Sequence, residues 1–377
     1  MAGGKGTRRP VLHPSRDPAR RSLTLAEWPE ADRQVWHALL EPGDVLEPGG
    51  AGAGWSPATR KVVRAANGQW LAWLQRTGRL DADTAPTERV TPLQVAGYVK
   101  HLEPQVGGMT IVMYVYHLGC FCRAAAPDTD WAWLSRLVAR LKRRVVPSVR
   151  KRPRLMPIGE LFALGLRTMR EAEADPDGAP WLTACRYRDG LIVALLAARP
   201  LRLRNLTQIG IGRHLIRGAG GYTLRFTAAE TKPRRHLEFP VPDALVVPLE
   251  RYLSNHRPLL CARAGARSGG NGAPSGTQLW VSGQGSAMIE RSVYQTIMTL
   301  TGNAFGRPIN PNLFRDCAAT SIATEDPEHV RITLSILGHS TLRTSERSYN
   351  HANSLEAMRR YQHRILHLRE QSRRLRR

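Results

Sequence analysis

Cysteine is scarce in this chain: five in 377 residues (Cys120, Cys122, Cys185, Cys261 and Cys317), an odd count with no C-x-x-C pair. Neither a disulfide framework nor a zinc site is indicated by such spacing. Cys120 and Cys122 fall in an apolar stretch and read as small core residues. A reducing cytoplasm fits this usage. Long apolar runs are missing as well. No stretch reaches the roughly 18 residues of a membrane span, and the opening MAGGKGTRRPVLHPSR has no apolar signal segment. The expectation is a cytoplasmic protein, nucleoid-associated in a bacterium, without a membrane partner. Carboxylates are few, 31 against 55 Lys and Arg. No cluster of them suggests a two-metal nuclease, and neither metal nor cofactor is expected.

What is present is positive charge. The formal net charge is +24 and the pI is near 11.0. A polyanion is the natural partner of such an excess, and nucleic acid is the commonest. Charge alone leaves open a basic protein that binds RNA or ribosomes without chemistry. Apolar residues make up 42%, enough for a sizeable core. The length suits two or three domains.

Residues 1–51 are rich in Gly, Pro and Arg, with a short helical pattern at Leu25–Leu40. They read as a basic arm leading into a small helix, or as a disordered tail. Residues 52–145 read as an all-helical bundle. Ser56-Pro57 and Thr91-Pro92 are N-cap and first-turn pairs. Val63, Ala66, Trp70, Trp73 and Leu74 recur at helical spacing until Gly78. A third helix is expected over Ile111–Ala126, and a fourth carries Trp131, Leu134, Val138 and Leu141. Residues 146–157 form a basic linker. Its Arg150, Lys151, Arg152 and Arg154 can lie along a duplex, each near a phosphate, or simply be solvated.

Residues 158–352 form the second domain. Helices are expected at Ile158–Glu173 and Trp181–Ala198. A hairpin is expected from Tyr222–Ala228 and His236–Val241 around Lys232-Pro233, then a helix at Pro242–Arg257. Residues 262–277 read as a Gly- and Ser-rich loop, and helices follow. Residues 353–377 read as a basic amphipathic tail helix.

Four polar clusters interrupt this second pattern. Arg199 to Leu206 follows directly on an apolar helix. Glu230-Thr231-Lys232-Pro233-Arg234-Arg235 sits at the hairpin. Pro311 to Thr320 opens an Ala-rich helix, where an inward Arg is costly unless it meets an anion. Leu337-Gly338-His339-Ser340 precedes Tyr349. Singly, each has an ordinary structural reading: a surface Arg, a solvated Lys, a packing Tyr.

Together and in this order, Arg202, Lys232, Arg315, His339 and Tyr349 resemble the active-site set of the tyrosine recombinases, the phage integrase family. The local patterns agree: Arg-x-x-Asn-Leu, a Lys in a hairpin, Arg before Ala-Ala-Thr, Leu-Gly-His-Ser, then Tyr. The resemblance spans roughly residues 52–352. It implies a mainly α fold with a small β-sheet: a helical core-binding bundle of the SAM-like kind, then an α+β catalytic domain. Three positions depart from the family pattern. Asn312 stands where a His is usual, and Asn205 where an acid is common. The interval from His339 to Tyr349 is one residue longer than the commonest, which leaves Tyr361 as a weaker second candidate nucleophile.

The implied chemistry is phosphoryl transfer without metal or ATP. Two arginines, Arg202 and Arg315, clamp the non-bridging oxygens with a fork that Lys cannot copy. Tyr349, a phenol of ordinary pKa near 10, attacks phosphorus. Lys232 protonates the 5′ oxygen, and His339 supports the clamp. Asn312 can hydrogen-bond a phosphate but cannot take a proton as imidazole does. The implied partner is double-stranded DNA carrying paired sites, bound by a homotetramer that exchanges strands through a Holliday junction. Accessory or directionality proteins can assist, and the element served is a mobile one. The tail helix could dock on a neighbouring protomer or contact DNA. Two other readings use the same residues: a type IB topoisomerase, and a catalytically silent DNA-binding accessory protein, which Asn312 favours.

Overall fold

A computed structural model describes residues 21–145, 155–175, 177–231, 236–265 and 276–325. Arg150, Lys151, Arg152, Arg154, Lys232, His339, Tyr349, Tyr361 and the tail expected at 353–377 lie outside the described residues. The chain divides into two compact units, Met1–Val149 and Arg150–Arg377.

The first unit is helical throughout its described part: α1 (Glu30–Leu40), α2 (Pro57–Arg76), α3 (Pro92–Leu102), α4 (Gly108–Ala125) and α5 (Ala132–Arg144). Helix starts are set locally. Ser56 accepts from the Thr59 amide and Thr91 from the Gln94 amide, each with proline in the first turn, so two otherwise orphan donors are satisfied. Helix α2 stops at Gly78, whose φ of +65° suits a residue without a Cβ. Trp70, Leu74, Tyr98, Leu118 and Phe121 are fully buried, with Trp70 and Tyr98 meeting edge to face at 5.3 Å. Helix α4 begins three residues before the expected Ile111.

The helical pattern at Leu25–Leu40, read with the N-terminal arm, becomes a 3₁₀ turn (Leu25–Glu27) and α1, and it joins the bundle core through Trp28, Trp36 and Leu39. The reason is partly a buried ion pair. Asp32 on α1 accepts from Arg89 Nη1 at 3.3 Å and Nη2 at 2.8 Å, and both side chains are almost wholly enclosed. Arg89 also donates to the Thr84 carbonyl, so its guanidinium is well satisfied.

The second unit is built on α6 (Ile158–Glu173) and α7 (Pro180–Ala198). From Gly190 to Ala197 every residue of α7 is buried, the mark of a central helix. The two helices cross at Gly165 and Gly190. A Cβ on Gly165 would lie 2.6 Å from the Ala194 nitrogen and the Gly190 oxygen, so only glycine permits that approach.

Next come α8 (Leu203–Thr207) and a three-stranded antiparallel sheet in the order β1 (Leu215–Gly218), β2 (Gly221–Phe226), β3 (Leu237–Pro240). The expected hairpin is β2–β3, with Phe226 opposite Leu237. The expected helix Pro242–Arg257 is divided into α9 (Asp243–Arg251), a π turn (Tyr252–His256) and α10 (Arg257–Gly265). Pro248 lies inside α9 and removes one backbone donor. Helix α10 runs on through 262–265, which were expected in the loop. Then follow α11 (Glu290–Phe305), ended by Gly306 at φ +65°, and α12 (Pro311–Glu325). Among the described residues, no helix is long and apolar enough to cross a membrane.

Candidate active site

The turn after α7 begins the site. Pro200 cannot continue the helix, and the Leu201 amide folds back onto the Arg199 carbonyl at 2.7 Å. Arg202 is thereby the N-cap of α8, half-buried, and its carbonyl accepts from the Leu206 amide at 2.9 Å. Helix α8 is too short to stand alone. Its far end is fixed by the buried Trp280, whose Nε1 donates to the Leu206 carbonyl at 2.8 Å, and by the buried Leu206 itself.

Arg315 arrives from α12. That helix starts at Asn310-Pro311, where the Asn310 side chain accepts from the Leu313 amide at 3.0 Å. Leu313, Phe314 and Cys317 are buried in the core, which fixes the helix's rotation. Arg315 is half-buried, and its Nη1 donates to the Pro200 carbonyl at 2.5 Å. One arginine therefore holds the turn that presents the other.

The electrostatics of this pair are unusual. Burial pushes the Arg315 guanidinium down from 12.5 to about 10, with repulsion from Arg202 as the second cause. Burial also lowers the Arg202 guanidinium. Two like charges are brought near each other in a partly desolvated place, with Asp316 offsetting part of the effect on Arg315, an arrangement that an added anion would stabilise. Perturbed groups of this kind concentrate at functional sites.

Asn312 is exposed on the first turn of α12, three residues before Arg315, and so shares a face with it. Asn205, on α8, is buried, and its Nδ2 donates to the Glu230 carbonyl at 3.2 Å. Glu230 ends a 3₁₀ turn (Ala228–Glu230) that follows β2. Hydrogen bonds from the Thr227 amide, and then from His214, hold its carboxyl down at about 2 against the opposing effect of burial. Of the residues singled out in the sequence, Arg202, Arg315, Asn312 and Asn205 fall on this one region. His214 was not anticipated: it is an isolated His in a turn, and only the sheet register brings it to Glu230.

The linker's described end also reaches this unit's core. The Met156 amide donates to Cys317 Sγ at 3.4 Å, and the Ile158 amide to Ser321 Oγ at 2.9 Å. Residues 156–158 are thus tied to the helix that carries Arg315.

At the sequence level no family model matches the chain, and no curated protein does. Solved structures do. XerH site-specific recombinase bound to its difH substrate, in a pre-cleavage complex, superposes with a TM-score of 0.51 at 14% identity, over 80% of this chain and 78% of that one. The same recombinase on a palindromic difH substrate, in a post-cleavage complex, gives 0.50 at 13% identity, over 77% and 75%. The fold is that of the tyrosine recombinases. At such identities the likeness belongs to the backbone. Arg202 begins the short helix α8 and Arg315 lies in the second turn of α12, both packed on the core, so their positions follow from core packing.

Proposed function

We propose that this protein is a site-specific DNA recombinase that cleaves and rejoins strands through a 3′-phosphotyrosine on Tyr349. The observation that carries this reading is the half-buried pair Arg202 and Arg315, which repel each other and so favour an anionic ligand. A scissile phosphodiester, gaining charge in its pentavalent transition state, is the ligand such a pair suits. The net charge of +24 draws DNA to the protein and predicts steep salt dependence of binding.

In the proposed reaction, the Tyr349 oxygen attacks phosphorus and forms the new O–P bond as its proton passes to solvent water. The bond from phosphorus to the 5′ oxygen breaks, and that oxygen takes a proton from the Lys232 ammonium. The products are a phosphotyrosyl 3′ end and a free 5′ hydroxyl. Attack by a second 5′ hydroxyl reverses these steps on another strand, so the phosphodiester energy is conserved and no ATP is consumed. Arg202 and Arg315 neutralise the non-bridging oxygens, with His339 supporting them. Asn312 can orient a phosphate oxygen, which leaves the cationic field of the arginines, with His339, to promote ionisation of Tyr349. A tetramer on paired sites of a mobile element is the assembly this reading implies.

The test is to incubate the protein with fragmented DNA of its source without metal, denature, and recover covalently bound DNA. The modified peptide is identified by mass, with Tyr349→Phe in parallel. An adduct on Tyr349 that disappears in the variant establishes the reaction and reveals the site. DNA binding without an adduct on any tyrosine favours a silent DNA-binding protein, unless Asn312→His restores cleavage. Relaxation of supercoiled DNA by single protomers, with no exchange between sites, favours a topoisomerase.

A further inference from the structure

The loop between α1 and α2 holds two aliphatic side chains out in solvent. Val45 and Leu46 are 101% and 90% exposed, the most exposed large apolar side chains among the described residues. Their presentation is built into the loop. Glu-Pro-Gly occurs at 41–43 and again at 47–49, and the two copies form its legs. The legs meet through backbone: a Cβ on Gly43 would lie 2.2 Å from the Gly49 nitrogen, so the approach requires glycine. Asp44 fixes the tip. Its Oδ1 accepts from the Leu46 amide at 2.8 Å and from the Glu47 amide at 2.7 Å. The Asp44 amide donates to the Glu47 carbonyl, and the Gly50 amide to the Glu41 carbonyl, each at 3.0 Å. Single apolar side chains scattered over a surface are ordinary. An adjacent pair at the tip of a self-bonded loop can be buried only by a surface the loop does not itself supply.

The charge of the loop says what kind of surface that is. Residues 34–59 contain no Lys or Arg, in a chain of net charge +24, and Glu41, Asp44 and Glu47 surround the pair. These carboxylates repel DNA phosphates and anionic lipids alike. They suit an apolar cavity that carries positive charge, and the second unit has one. A cavity of about 600 Å³ opens beside α7, α10 and the start of α11, with Trp181, Arg263, Ala287, Met288 and Ile289 in its walls. Trp181 is half-buried and Ile289 is exposed. Among the described residues, Arg263 is the only charged group in the lining. It is held over the Trp181 ring at 4.4 Å and donates to the Gly283 carbonyl at 2.8 Å, so this wall is formed before anything binds. Glu290 and Arg291, next along α11, are both exposed and of opposite sign.

We propose that the loop at 41–50 of one copy seats Val45 and Leu46 in this cavity of a second copy, with the carboxylates of the loop facing Arg263. Loop and cavity are different surfaces, so the contact is heterologous, and its repetition closes a ring or extends a chain. The contact goes beyond the recombinase reading and stands whether or not Tyr349 reacts.

The test is sedimentation velocity of the full-length protein across concentration. Salt is held at about 0.15 M, where charges more than about 8 Å apart are screened and the overall repulsion between copies is weakened. Leu46→Asp spoils the loop and Ile289→Asp the cavity. Leu46 is exposed, and Ile289 is the N-cap of α11 without a side-chain cap bond, a place that suits aspartate. Circular dichroism checks folding, and Val45→Asp and Ser292→Asp take their places if either fails to fold. The wild type should self-associate, and each variant should do so about 10- to 100-fold more weakly, the effect of losing a central interface residue. An equimolar mixture of the two variants should recover a dimer at close to the wild-type affinity, because one copy still offers its loop and the other its cavity. A wild type that stays monomeric, or variants that associate as it does, overturn the inference. So does a mixture that recovers nothing, since the loop then does not enter the cavity of a second copy.

Discussion

Replacing Arg202 by Met should make the free protein more stable while disabling cleavage. Burial and then Arg202 together push the Arg315 guanidinium from 12.5 to about 10. At about 1.4 kcal/mol per pH unit that fall corresponds to roughly 3.4 kcal/mol. Arg202 is the smaller of the two lowering causes, with Asp316 opposing both, so its share is on the order of 1–2 kcal/mol, and solvent screening around half-buried groups cuts it to roughly 0.5–1 kcal/mol. Met keeps the length of the Arg stem, so packing over α8 is retained. For a unit of this size about 1 kcal/mol moves the melting midpoint by roughly 2–4 °C. A rise of about 1–4 °C is therefore expected by calorimetry, in the transition of the second unit. Adduct formation should fall about 100- to 1000-fold, the usual effect of removing one donor from an anion clamp. A midpoint lowered by a few degrees would show that Arg202 is a structural cation and refute the reasoning. An unchanged cleavage rate would refute its place in the clamp.

Three further outcomes follow from the packing and the charges. Gly165→Ala places a Cβ 2.6 Å from backbone atoms of α7 and should cost about 1–3 kcal/mol; a urea midpoint unchanged from wild type would mean that α6 and α7 separate freely. Arg89→Met strands the buried Asp32 carboxylate and should cost roughly 3–5 kcal/mol, most of it recovered when Asp32→Leu is added; a double variant as unstable as the single one contradicts this. Glu230 has its carboxyl lowered from 4.5 to about 2, so its contribution is present above pH 4.5 and is lost as pH falls from there towards 2. Acid titration of wild type against Glu230→Gln should show a stability gap, after screening, of about 1–2 kcal/mol at pH 6 that closes over that interval, and a gap independent of pH would contradict it.

Much of the fold was legible because its signals are local. Ser56-Pro57 and Thr91-Pro92 each mark a helix start with a side-chain acceptor and a proline. The apolar run of α7 reads as a buried helix from its length. The less legible features depend on contacts far apart in sequence. β1 is only four residues, Leu215–Gly218, and exists because β2 pairs with it. The helix after Leu25 reads as part of an arm until Asp32 meets Arg89, 57 residues away. Arg202 and Arg315 were singled out by their order and their resemblance to a known set. Neither spacing nor propensity could say that Arg315 would bond the Pro200 carbonyl. His214 carried no signal at all, since its partner is chosen by sheet register.

These long-range contacts share one anchor. The turn at Arg199–Arg202 receives Arg315 through the Pro200 carbonyl and presents Arg202 as a cap. Through Asn205 on the next turn, it holds Glu230 and the exit of β2. The linker's end is bonded to the same helix that sends Arg315 there. Site residues drawn from three stretches of sequence thus depend on a single short element packed against Trp280. A site assembled in this way, on the proposed reading, needs no long rigid strand or helix of its own. It needs a core that does not move, and the glycine-tight crossing of α6 and α7 supplies one. On the proposed reading, the mutual repulsion of the two arginines is held in place by the fold, and an anion binding there would relieve it, which would add to its affinity.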